Sequence, residues 1–206
     1  MNWRNALLSA WAKPVLAMLL ALPMAWLVYA TFNNLLGPNP AEALSRQTGD
    51  WTLRGLCLVL AITPLRVVLQ APGLLRLRRT VGVATFVYAC VHLLCYAWFD
   101  QGFDLTDIWR DILKRPFIWL GFSAWVLMLP LAATSFNTAI RWLGGRRWQA
   151  LHRLVYAAAL LSVLHFFWMR TGKNDFAEVW VYAAILGVLM AWRVWWWRRH
   201  RKINNK

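Results

Sequence analysis

Six stretches of mostly apolar residues, each about twenty long, dominate this chain, at about 13–32, 51–70, 80–99, 116–136, 148–169 and 177–197. A helix needs roughly 20 such residues to cross the hydrocarbon core of a bilayer. In lipid, each backbone N–H and C=O must be satisfied within the structure, which leaves helices or closed barrels. None of the stretches shows the alternating pattern of barrel strands. The predicted fold is all-α: a polytopic membrane bundle of six transmembrane helices forming one domain over 1–206. Five further spans make the first stretch a retained helix rather than a cleaved signal peptide. Sixteen tryptophans agree with this reading, because indole rings favour the water–lipid boundary.

The formal net charge of +15 would by itself fit a nucleic-acid partner. Its distribution argues against one. The N-terminal segment, loops two and four with their flanks, and the tail together hold 16 Lys and Arg and no acid. The other side holds seven basic residues, Lys173 among them, and all eight acids. Lys and Arg mark the cytoplasmic side, so both termini are expected there, with loops one, three and five facing outward. This topology, with membrane lipid as a partner, accounts for the charge without nucleic acid. The longest outward loops run from about 32 to 50 and from about 100 to 115. Both are too short to fold as domains. They are acidic and aromatic, and so are candidate docking surfaces. No Gly-rich phosphate loop or soluble catalytic module is present. Cys57, Cys90 and Cys95 lie within apolar runs at no metal-ligand or disulfide spacing and are expected to be buried free thiols.

Three of the four histidines lie inside predicted spans: His92 in the third, His152 and His165 in the fifth. Ionisable groups within a membrane are costly, usually face the bundle interior and often serve function. Imidazole is a standard axial ligand of haem iron. Spans three and five run in the same direction, and His92 and His165 both fall in their outer halves, so the two are expected to meet across one haem. His152 lies at the start of span five, roughly 20 Å from His165 along an ideal helix. Thirteen residues turn an ideal helix by about 220°, so these two histidines do not share a face unless the helix bulges or kinks. The inner site also lacks a second histidine: Arg79 and Arg78 stand where span three would supply one. His200, in the basic tail, is expected at the membrane surface.

Around the inner end, Arg76, Arg78 and Arg79 precede span three, and Arg146, Arg147 and Arg153 frame the start of span five. Guanidinium groups bind carboxylates and phosphates in bidentate fashion. Arg78, Arg79 and Arg153 are therefore candidates to hold haem propionates or a flavin phosphate. Contact with anionic lipid is the plainer explanation for any one of them. Trp192, Trp195, Trp196 and Trp197 read as an interfacial anchor.

The segments R-R-T-V-G at 78–82, I-T-P-L at 62–65, R-P at 115–116, T-S at 134–135 and W-Q-A-L-H-R-L-V-Y at 148–156, with His92 and His165, resemble the MsrQ (YedZ) family over nearly the whole chain. These are haem-binding membrane subunits of the periplasmic methionine-sulfoxide reductase system, within the ferric-reductase-like transmembrane group. The resemblance implies one or two b-type haems, FMN as a further cofactor, and a multi-pass protein of the bacterial inner membrane. It also implies electron delivery to a periplasmic molybdopterin subunit, with this chain a redox subunit rather than the catalytic one. His92, His152 and His165 match the family's haem-associated histidines. With about nine residues after the sixth span, the expected donor is separate: quinol or a soluble flavin reductase. A stand-alone ferric reductase or another cytochrome b subunit is the alternative within this class. A proton-relaying transporter would ordinarily also use buried acids, and none lies at the centre of a span. A membrane anchor without chemistry is the third reading.

Overall fold

The computed structural model describes residues 3–172 and 174–204, and of these the side chains of 3, 5 and 200–204 are not described. Lys173 and Lys206, counted in the charge pattern, lie outside the described residues, and the placement of the His200 side chain is likewise outside them. Every regular element among the described residues is helical: α1 (Trp3–Ala6), α2 (Ala12–Phe32), α3 (Pro40–Val68), α4 (Leu74–Cys95), a π-helical turn (Tyr96–Asp100), α5 (Leu105–Lys114), α6 (Pro116–Ala133), α7 (Asn137–Leu143), α8 (Gly145–Leu151), α9 (Leu154–Thr171) and α10 (Ala177–Asn204). Six helical segments are long and apolar enough to cross a membrane. Successive spans alternate in direction, so one end of the bundle gathers the all-basic connections and the other gathers the acids.

Three boundaries depart from expectation, each for a local reason. Span two begins at Pro40 rather than near 51. Asn39 caps it by accepting from the Glu42 N–H, and Pro40 sits in the first turn, where no donor is needed. Much of the expected loop one is therefore helix. Span four stops at Ala133 rather than 136, where the Thr134 hydroxyl turns back onto the Pro130 carbonyl at 2.6 Å. Span five is broken: α8 ends at Leu151 and α9 starts at Leu154, with His152 and Arg153 in the turn between.

The core is built by α3, α4, α6 and α9. Helix α3 packs along α4, α4 on α6, α6 along α9, and α9 on α3. Leu56, Leu60, Val81, Met128, Ala158 and Ala159 fill the centre. Helices α2 and α10 lie outside this ring and leave Leu19, Leu22, Trp26, Trp180 and Val188 exposed, as a lipid-facing surface requires. Close approach of α3 and α4 depends on Gly55, where a Cβ would stand 2.3 Å from the Thr85 hydroxyl. Cys57 and Cys90 are half-buried and Cys95 buried, all as free thiols.

Proline inside a spanning helix frees a carbonyl one turn back. Pro64 leaves the Leu60 carbonyl without its usual N–H, and Arg193 of α10 donates to that oxygen at 2.8 Å. The same guanidinium donates to the Tyr156 hydroxyl at 2.6 Å and lies over its ring. The carbonyl freed by Pro64 in α3 thus becomes an attachment point for α10. Arg193→Met is expected to lower stability by about 1–3 kcal/mol, the usual cost of orphaning such a group. In a Pro64→Ala background, which restores the helix's own donor, the loss should be smaller. Thermal or denaturant melts of the four proteins in detergent check this; equal losses in both backgrounds would refute the coupling.

Candidate functional site

Helices α4 and α9 occupy opposite corners of the four-helix ring and do not pack extensively on each other. His92 of α4 and His165 of α9 reach across that diagonal. Their ring centroids are 6.2 Å apart, with planes inclined at 72°. Two imidazoles on opposite sides of one metal, at roughly 2 Å per metal–nitrogen bond, would have centroids about 6 Å apart. The pair therefore has the spacing that the two axial ligands of a haem iron require.

The neighbouring helices hold both rings in the same way. His92 Nδ1 lies 2.8 Å from the Ser45 carbonyl of α3, and His165 Nδ1 lies 2.6 Å from the Phe117 carbonyl of α6. A carbonyl only accepts, so each Nδ1 carries the proton and each Nε2 keeps its lone pair. No hydrogen bond engages either Nε2 among the described residues. This is the tautomer and the outer support that metal-bound imidazoles commonly have.

The carbonyls are reachable because of two glycines. In a helix, the side chain at i+4 leans back over the turn containing the carbonyl at i. Four residues after Ser45 stands Gly49, and four after Phe117 stands Gly121. A Cβ on Gly49 would lie 3.0 Å from His92 Cε1, and one on Gly121 would lie 2.9 Å from His165 Cε1 and Nδ1. Each ring occupies the space a side chain would take. Sequence reasoning missed all four of these residues. Its available signal was glycine within an apolar span, but that signal does not say which helix faces the gap.

Beyond the histidines, Asp111 ties the two halves of the site together at the acidic end. It accepts from the Tyr96 hydroxyl at 2.9 Å, from Gln101 Nε2 at 3.0 Å and from Arg115 Nε at 2.7 Å. Tyr96 lies one turn beyond His92, and Arg115 caps the helix whose Phe117 carbonyl holds His165.

At the basic end lies a second candidate site, a cavity of about 420 Å³. Arg78, Arg79, Gly82 and Phe86 of α4 line it, facing Met128, Trp148 and His152. The break between α8 and α9 supplies the kink that an ideal helix lacked, so both His152 and His165 face α4. Trp148 stacks on His152 at 3.9 Å, and His152 Nε2 lies 3.1 Å from the Thr134 hydroxyl. That hydroxyl already donates to the Pro130 carbonyl, so Nε2 is the donor and Nδ1 keeps the lone pair. Arg79 donates to Asn137 Oδ1 at 2.9 Å. Arg153 is exposed and does not line the cavity, so the three arginines singled out in the sequence are not brought together. Among the described side chains, no second histidine faces His152 there.

A family model described as "Ferric reductase like transmembrane component" matches residues 48–163, more than half of the chain. Fold, paired histidines and this match define a ferric-reductase-like transmembrane protein. The protein-methionine-sulfoxide reductase heme-binding subunit MsrQ of Polaromonas naphthalenivorans is 59% identical over 97% of this chain and 92% of its own length. The MsrQ proteins of Herminiimonas arsenicoxydans and Ralstonia nicotianae are 48% and 51% identical over 94% and 89% of this chain, and over 88% and 86% of their own lengths. This chain belongs to the MsrQ family. No solved structure matches it.

Asp111→Ala is expected to loosen the Tyr96–Phe117 segment while the bundle core stays protected. Hydrogen exchange read by mass spectrometry should show faster exchange confined to that segment. Unchanged exchange there would mean that Asp111 does not join the two halves.

Proposed function

We propose that this chain is the haem-binding membrane subunit of a protein-methionine-sulfoxide reductase system, carrying electrons through the bilayer to a separate reductase subunit. The observation that carries this reading is the His92–His165 pair, with both Nε2 lone pairs free and the rings 6.2 Å apart. The names of the related proteins supply the system. When bound, haem b supplies a one-electron ferric–ferrous couple.

Every other part is played by the chain. His92 and His165 would hold the haem iron through their Nε2 atoms. Ser45 and Phe117 fix their orientation, and hydrogen bonding at Nδ1 would make each imidazole a stronger donor to the iron and so favour its ferric state. The surrounding spans keep water from the site. The His152 cavity takes a second redox group, either a second haem b or FMN. Arg78 and Arg79 would meet its propionate or phosphate groups, and His152 Nδ1 is the free lone pair on its wall. The one-sided basic charge supports a bacterial inner-membrane orientation with the basic end and both termini in the cytoplasm. Electrons then enter from quinol or a soluble flavin reductase and leave at the acidic, periplasmic end. The acceptor is a molybdopterin-containing subunit, which consumes two electrons and two protons per sulfoxide to give methionine and water. This chain is the redox subunit and not the site of that reduction.

His92→Ala or His165→Ala is expected to remove the low-spin haem spectrum while the protein still inserts. Gly121→Val should do much the same without touching a ligand, because its side chain meets the His165 ring. His152→Ala should leave that spectrum in place and lower the content of the second cofactor. Visible spectra, with haem and flavin measured per polypeptide, separate these outcomes. Full haem in both His92→Ala and His165→Ala would overturn the assignment.

A further inference from the structure

Helix α5, between the π-helical turn and α6, does no work in the reading above beyond Asp111, yet its surface is divided into three sectors. At about 100° per residue, Ile108, Asp111 and Ile112 fall on one side. Ile112 is buried, Ile108 half-buried and Asp111 bound to Tyr96 and Gln101, so this side faces the bundle. Next around the helix come Leu105, Trp109 and Leu113, spaced four apart and 78%, 58% and 64% exposed. Beyond them around the helix lie Thr106, Arg110, Lys114 and Asp107, also exposed, with Arg110 and Asp107 paired at 3.6 Å. Asp104 caps the helix by accepting from the N–H groups of Thr106 and Asp107.

We infer that α5 lies flat in the membrane interface at the acidic end, with Leu105, Trp109 and Leu113 seated in the boundary between lipid headgroups and acyl chains. A helix lying beside a spanning bundle at the membrane surface meets protein on one side, lipid below and water above. That order of neighbours is the order of the three sectors. Exposed aromatic residues also flank the stripe along the chain: Trp98 and Phe99 precede α5, and Trp119 follows within the first turn of α6. Tryptophan at both flanks and in the middle of the stripe is the side chain that this boundary selects. The partner is therefore a lipid surface, and a docking protein is left only the polar sector of α5. Because α5 connects the end of the His92 helix to the Phe117 carbonyl, its seating also fixes the depth at which the two halves of the site are held. The inference rests on the six-span bundle and not on haem.

The test is spin labelling of the full chain in nanodiscs of phosphatidylcholine and phosphatidylglycerol, with Cys57, Cys90 and Cys95 replaced by alanine. Single cysteines go at Leu105, Trp109 and Leu113, and for comparison at Thr106, Arg110 and Lys114. Labels on the stripe should collide more with oxygen than with a water-soluble nickel complex, and labels on the polar sector the reverse. A second readout avoids labelling: brominated lipid should quench part of the tryptophan fluorescence, and Trp109→Phe should reduce that part. Stripe labels as open to nickel as the polar ones, or quenching unchanged by Trp109→Phe, would overturn the inference. So would stripe labels that are water-exposed until the reductase subunit is added, because the stripe would then be a protein-docking face.

Discussion

Two backbone carbonyls, those of Ser45 and Phe117, decide what the rest of this bundle can do. Each accepts the Nδ1 proton of one imidazole and so leaves the lone pair on the other nitrogen of that ring. The support is the same on both sides, a carbonyl at i bared by a glycine at i+4, although it comes from two different helices. Without it, a histidine inside an apolar span would be a polar group in search of any partner. With it, two such groups become a pair of imidazoles, 6.2 Å apart, that each keep a lone pair on Nε2.

The cost of leaving a polar group unmet in lipid also explains several irregular parts of the fold. Pro64 frees a carbonyl, and Arg193 of the neighbouring α10 fills the vacancy. Thr134 closes the end of α6 and also meets His152 at the break before α9. Asp111 gathers three donors where a π-helical turn ends a span. At the acidic end, buried Arg170 is met by Glu178 at 2.6 Å and Asp175 at 3.5 Å. Each of these departures from a plain helix has a partner elsewhere, and several of those partners border one of the two candidate sites.

Much of this was legible in the chain. Apolar length gives six spans, and the one-sided placement of basic residues separates the two ends of the bundle. The depth of His92 and His165 on co-directional spans brings them together. Other features were hidden because their cause is not local. Charged and polar residues between 40 and 50 resemble a loop, yet an Asn39 cap and packing against α4 make them helix. His152 seemed turned away from His165 on an ideal helix, and the turn at His152–Arg153 removes that conflict. Arg153 looked equivalent to Arg78 and Arg79, but the same turn leaves it exposed and off the cavity wall.

What the amino-acid order determined by itself is whatever depends on transfer between water and lipid: the number of spans, their alternation, and the rarity of the histidines within them. That free energy is a sum over local residues and can be read in any window of the sequence. What only the tertiary structure decided is which lone pairs are left free, which glycines make room and which carbonyl each arginine meets. Those depend on the rotation and spacing of helices set by contacts between distant segments. No local window contains them.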